Sequence, residues 1–164
     1  MINNGIYIFM KYNFNNFYNN LVKLTRNKVL YKHFNKKDEF SDRLIFLLIH
    51  LCFFFKHYKS KENTILLQEI YDFIFRQLEL SIREIGYGDQ SINKKMKDYL
   101  NSFHAILDKV HFWDKYSDSD KVKIFDNLIQ NSEKNIHLVR YFDDFSANLL
   151  KYNLNSYLKS VSNQ

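Results

Sequence analysis

This sequence predicts an all-α fold, a single-domain bundle of about six helices around an apolar central helix. Three observations carry that reading. The 164 residues contain no proline and only three glycines, so few breakers interrupt long helices. Apolar residues make up 46% of the chain and aromatic residues 18%, enough to build a real core and well above a disordered composition. One stretch, Leu44 to Phe55 (LIFLLIHLCFFF), is apolar on every side, the mark of a helix surrounded by others.

The elements follow in order. Residues 1–15, rich in Asn and aromatics, read as an irregular N-terminal segment, and residues 16–164 as the helical domain. Helix one is expected from about Phe17 to His33. Helix two follows Ser41 as N-cap and ends near Lys59. Its apolar run is twelve residues long, against the roughly twenty that a spanning helix needs, so it reads as core and not as a transmembrane helix. Helix three runs from about Asn63 to Ile85. Leu67, Ile70, Ile74, Leu78 and Ile85 form its apolar face, and Asp72–Arg76 and Glu79–Arg83 are spaced as i,i+4 pairs.

Helix four starts after Asp89 or Ser91 and carries one stripe, Ile92, Met96, Tyr99, Phe103, Ile106, Val110 and Trp113. Helix five follows Ser117-Asp118-Ser119-Asp120, which supplies capping side chains, and its face is Val122, Phe125, Leu128 and Ile129. Helix six runs from about Asn135 to Asn148, with a continuation to Lys159 left open. No period-two segment bounded by turns suggests a strand.

Charge is unevenly spread. Residues 1–61 hold eleven Lys/Arg and three Asp/Glu, a net +8, whereas residues 62–164 hold thirteen and fifteen, a net −2. A basic first third suits nucleic acid, a ribosome or an anionic membrane surface, and equally an ordinary solvated face. The stretch Gly5-Ile6-Tyr7-Ile8-Phe9-Met10 lacks the preceding basic residue and the cleavage site of a secretory signal. Cys52 is the only cysteine, which excludes an intrachain disulfide and a cysteine-based zinc cluster. It reads as a small core residue.

Catalytic signatures are sparse. His50 and His57, and likewise His104 and His111, are seven apart, not the i,i+4 of a metal-binding helix. His50 reads as a core histidine bonded to a carbonyl. No Gly-x-Ser-x-Gly is present. No catalytic residue, metal or cofactor is therefore assigned.

The most informative segment joins helices three and four, from Arg83 to Lys97 (REIGYGDQSINKKMK). Gly86 suits the left-handed residue that ends a helix. Gly88 lets the chain reverse within few residues, and Asp89 or Ser91 can cap the next helix. Lys94, Lys95 and Lys97 fall near the positive end of helix four, where cations are mildly unfavourable. Their expected partners are Glu84 and Asp89, or an anionic molecule. Gly-x-Gly beside lysines is not a phosphate loop here, because no Walker or dinucleotide spacing surrounds it.

Arg83-Glu84-Ile85-Gly86-Tyr87-Gly88-Asp89, followed by Ser91-Ile92 and Lys94-Lys95-Met96-Lys97, resembles the signature of ubiquinol–cytochrome c chaperones. Two further blocks agree. Phe40 to Phe55, with Arg43, Leu47, Leu48 and His50, is similar to that family's Arg-Phe-x-Leu-Leu-x-Leu-His block. Phe75 through Ile82 is similar to its Phe-x-Asp-Met-Asp-x-x-Leu. The resemblance covers roughly Leu21 to His111. Departures include Gln77 in place of the usual Asp, Tyr87 in place of Val, Asn93 where small residues or Pro are common, and His104-Ala105-Ile106 where Tyr-Gly-Arg often follows Phe103.

The resemblance implies a non-enzymatic assembly chaperone. Mitochondrial members of the family bind newly made cytochrome b, together with a small helical partner protein and near the ribosome, and so assist assembly of the ubiquinol–cytochrome c oxidoreductase. By that resemblance the chain would work in the cytoplasm, peripheral to the inner membrane, or on the matrix side in a mitochondrion. Arg83, Glu84, Asp89, Lys94, Lys95 and Lys97 would contact client or partner, with Gly86 and Gly88 shaping the turn. Two rivals are a basic helical RNA- or ribosome-binding module without catalytic activity, and a helical lyase or hydrolase with carboxylates or histidines converging in a pocket.

Overall fold

The computed structural model describes residues 12–32, 34, 40–129 and 135–162. Among them are seven α-helices, two short 3-10 helices and no strand. The α-helices are α1 (Phe14–Thr25), α2 (Phe40–Tyr58), α3 (Thr64–Ile85), α4 (Asp89–Val110), α5 (Asp118–Leu128), α6 (Ile136–Leu149) and α7 (Leu154–Ser162). Residues 1–11 of the expected irregular segment lie outside the described residues.

Helix α2 is the centre of the bundle. Nine consecutive residues, from Phe46 through Phe54, are buried without interruption, and His50, Cys52 and Phe54 are wholly inaccessible. Helix α1 packs on one side of it, α4 on another and α6 on a third. Ring contacts fix these neighbours. Phe17 of α1 meets Phe54 at 4.8 Å, Phe103 of α4 meets Phe55 at 5.6 Å, and Phe142 of α6 stacks on Phe53 at 5.1 Å. Such pairs contribute beyond their area, about 0.5–1.5 kcal/mol each.

Helices α3 and α4 form an antiparallel hairpin through the Gly86–Gly88 turn, so α4 runs in the same direction as α2. Helix α7 returns to α1, where Asn16 donates to the Ser162 carbonyl at 2.8 Å and Tyr12 donates to Asn155.

Four helices differ in their bounds from the sequence expectation, in part because polar side chains end helices that apolar periodicity would extend. Helix one begins at Phe14, capped by Asn13, and stops at Thr25. Thr25 Oγ1 turns back to the Val22 carbonyl at 2.7 Å, and Asn27 accepts from the Val29 N–H to open the 3-10 helix Lys28–Tyr31. Helix two starts at Phe40, so Ser41 lies inside its first turn and is not the N-cap. Helix four ends at Val110, and Trp113, although buried, belongs to the 3-10 helix Trp113–Lys115. The expected helix six is two helices. Asn153 Oδ1 accepts from the Ser156 N–H at 2.8 Å and starts α7 afresh, which is the local signal for an N-cap.

Two side-chain expectations also change. Ile85 is 54% exposed, and Ile82, one turn after Leu78, takes its place in the core. Asp72 accepts from Gln68 at 2.9 Å and not from Arg76, whereas Glu79–Arg83 forms at 2.8 Å.

Candidate client-binding surface

The Arg83–Lys97 segment is built from the turn outward. Gly86 closes α3 with φ 100° and ψ 18°, the left-handed conformation expected of it, and its N–H bonds the Arg83 carbonyl at 2.9 Å. Gly88 is extended and stands as the N-cap of α4 without a capping side chain. Asp89 is therefore not the cap. It is the first helical residue, where an acid complements the helix dipole.

Arg83 spans the turn. Its guanidinium donates to Glu79 on its own helix at 2.8 Å and to Asp89 on the next at 2.5 Å. Both carboxylates, Asp89 first, push the Arg83 pKa up. Asp89 is thus taken by Arg83 and not by the lysines. Glu84, Lys94 and Lys97 are exposed and make no hydrogen bond or ion pair among the described residues. Lys95 instead lies over the Tyr87 ring, 4.5 Å from its centroid. Because α4 begins at Asp89, Lys94 is its sixth residue, and the lysines lie past the first turn, where the dipole effect has mostly faded.

The structure joins this segment to residues that the sequence reading treated only as core. Phe40, Leu44, Ile45 and Leu48 of α2 face Tyr87, Lys95 and Tyr99 across an open groove of about 520 Å³. Phe40 is 47% exposed and Tyr87 45%, so the groove presents two half-open rings beside a cation. Of the predicted site residues, only Lys95 lines it. Arg83 and Asp89 hold the turn that positions Tyr87, and Glu84, Lys94 and Lys97 do not line it. Phe40, Tyr87 and Tyr99 were missed as groove residues. For Phe40 and Tyr87 the available signal was an aromatic at a helix start and one in a turn, where the stripe rule gives no core position, whereas Tyr99 falls on the helix-four stripe.

A second groove, about 460 Å³, lies toward the other end of the same helices. Phe55, Leu67, Tyr71 and Phe103 form its floor, and Lys59, His104, Asp108 and His111 stand among its walls. His104 is 3.4 Å from the Tyr71 hydroxyl. Among the described residues no three His, Cys, Asp or Glu side chains group as a metal site.

The buried polar groups serve the core. His50 Nδ1 is 2.6 Å from the Phe46 carbonyl and its Nε2 is 2.8 Å from the Tyr141 hydroxyl. A carbonyl only accepts, so Nδ1 carries the proton and Tyr141 donates to Nε2. Burial pushes the His50 pKa down to about 4, with the Phe46 bond acting in the opposite direction. Cys52 Sγ donates to the Phe103 carbonyl at 3.3 Å, and burial raises its pKa, so its reactive thiolate is disfavoured.

An all-helical fold with an open, aromatic-walled groove beside exposed lysines defines a surface suited to holding another molecule. Residues 32–111 match the family model described as ubiquinol-cytochrome C chaperone, and over that segment the chain is similar to this family. The matched segment contains α2, α3, α4 and both walls of the groove. No curated protein and no solved structure matches the chain. No helix among the described residues is long and apolar enough to cross a membrane.

Proposed function

We propose that this protein is an assembly chaperone that binds newly made cytochrome b and aids assembly of the ubiquinol–cytochrome c oxidoreductase. The family match over residues 32–111 carries this reading. The groove between α2 and α4 supports it chemically, because an apolar client segment can cover Phe40 and Tyr87 while Lys95 meets a carboxylate or carbonyl at its edge. Lys94 and Lys97 stand free nearby for an acidic stretch of client or of a small helical partner. The protein works without catalysis or a cofactor, in the cytoplasm or mitochondrial matrix, peripheral to the inner membrane and in contact with the translating ribosome.

Deleting the gene in its own organism tests this. Cytochrome b and the assembled oxidoreductase should fall, while unrelated membrane complexes persist. Normal levels of the complex would overturn the reading. One observation favours the rival RNA- or ribosome-binding module: Lys23, Arg26, Lys28 and Lys32 are all exposed in a stretch, residues 12–34, that has no acidic residue. Loss of bulk translation in the deletion strain, with salt-sensitive RNA binding by the purified protein, would establish that rival instead.

A further inference from the structure

The end of the bundle opposite the Gly86 turn gathers three connections. Helices α2, α4 and α6 all finish there. The Tyr58 hydroxyl at the end of α2 bonds the Leu149 and Tyr152 carbonyls, each at 3.2 Å, which pins the α6–α7 connection. Lys56, in the last turn of α2, bonds Asp114 at 2.5 Å, which pins the α4–α5 connection. The α2–α3 connection is held by Asn63, whose Nδ2 donates to the Tyr58 carbonyl at 2.8 Å.

These connections expose apolar side chains at their tips. Leu150 is 73% exposed, Phe112 49% and Tyr152 38%. Scattered exposed apolar residues are ordinary, but these share one end and are interleaved with cations. Residues 59–63, 111–117 and 150–153 hold Lys59, Lys61, Lys115 and Lys151 against Glu62 and Asp114, and Asp114 is already bonded to Lys56. The four lysines are exposed. Lys115 lies 5.3 Å from the Phe112 ring centroid, so charge and apolar surface occur side by side. Apolar and aromatic tips within a cationic fringe match the boundary of an anionic bilayer, which takes the rings and methyls at headgroup depth and the ammonium groups at its surface.

We propose that this end of the bundle seats on an anionic lipid bilayer through Leu150, Phe112 and Tyr152, with Lys59, Lys115 and Lys151 at the headgroups. This deepens the peripheral membrane contact of the proposed function by assigning it to one end of the fold, away from the groove that would hold the client.

The test uses the full-length protein and phosphatidylcholine vesicles with or without phosphatidylglycerol, read by co-flotation. Wild type should float with the anionic vesicles and stay behind with the neutral ones. Leu150→Glu combined with Phe112→Glu should lower anionic-vesicle binding by at least about tenfold, and its circular dichroism melt should match wild type because both side chains are exposed. Lys59→Gln with Lys115→Gln and Lys151→Gln should weaken binding and flatten its dependence on salt. Absence of wild-type binding, or unchanged binding by the Leu150/Phe112 variant, would overturn the proposal. So would a matching loss produced by Tyr87→Glu at the other end, or by Lys28→Gln with Lys32→Gln in the basic first third. Vesicle binding requires no client, so its failure and the failure of the deletion test are told apart.

Discussion

His50 makes the stability of this protein depend on pH in a defined window. It is wholly buried, and burial holds its pKa down to about 4 against an ordinary 6.5. The folded imidazole is therefore neutral throughout that interval, while the unfolded chain takes up a proton as the pH falls through 6.5. The unfolded state binds more protons there, so stability falls as the pH drops from 6.5 towards 4, and this contribution levels off below 4. A depression of this size corresponds to about 3 kcal/mol across the window, or about 1.4 kcal/mol per pH unit in its middle. Other groups titrate too, so the comparison is with His50→Leu combined with Tyr141→Phe, which removes both partners of the bond and leaves no orphaned hydroxyl. Urea denaturation at half-unit steps from pH 7.5 to 4.5 gives both curves. Wild type should lose about 2–3 kcal/mol relative to the double variant between pH 7 and 4.5. Parallel curves would show that His50 is not held neutral by the core and would refute the reasoning.

Three further outcomes are expected. Gly86→Val should cost about 1–2 kcal/mol, because φ 100° is strained for any L side chain even though a Cβ there meets nothing within 4 Å; Gly86→Asn should cost less, and equal melts for wild type and Gly86→Val would contradict the turn. Asp143→Ala should cost about 1–3 kcal/mol in a denaturant melt, since Asp143 accepts from the buried Trp113 Nε1 at 2.7 Å and from Lys121 at 3.0 Å. Replacing Lys94, Lys95 and Lys97 with Gln should leave the melt within about 0.5 kcal/mol of wild type while weakening capture of a cytochrome b segment in a pull-down; unchanged capture would remove the lysines from the binding surface.

Periodicity made much of the architecture legible. Leu67, Ile70, Ile74 and Leu78 recur three and four apart and are all buried, as are Ile92, Phe103, Ile106, Val110 and Trp113 further on. The apolar run around His50 marked the central helix, and one polar residue inside it implied a local carbonyl partner, which Phe46 provides. Gly86 announced its left-handed turn. The breaks at Thr25 and Asn153 were less legible, because they depend on a single side chain competing for a backbone group while the apolar pattern runs on. The groove was hidden for a different reason. Its walls come from α2 and from the far side of the α3–α4 hairpin, and nothing local in Phe40 or Tyr99 records that they face each other. The pairing of Asp89 with Arg83 was likewise decided by the closure of the turn.

The groove's dimensions bear on how such a surface would work. An aromatic side chain buries about 150–250 Å² when enclosed. Phe40 and Tyr87 are each already about half covered, so a client could shield on the order of 200 Å² of ring surface between them. At about 25 cal/mol per Å² that is roughly 5 kcal/mol. Association itself costs at least about 4 kcal/mol in lost rigid-body freedom, so the two rings alone give weak binding, and added hold must come from Leu44, Tyr99 and the lysines beside them. The contact of Lys95 over Tyr87, which a client would compete with, is only partly covered and worth only about 0.5–1 kcal/mol. Arg83, by tying α3 to α4, keeps Tyr87 opposite Phe40 without filling the space between them. A fixed groove with modest affinity suits a protein that must hold an apolar segment and then give it up. Filling the groove from within, with Ser102→Phe beside Leu48 and Tyr99 in its wall, should therefore weaken client capture while leaving the helical signal intact, and undiminished capture would place the client elsewhere on the fold.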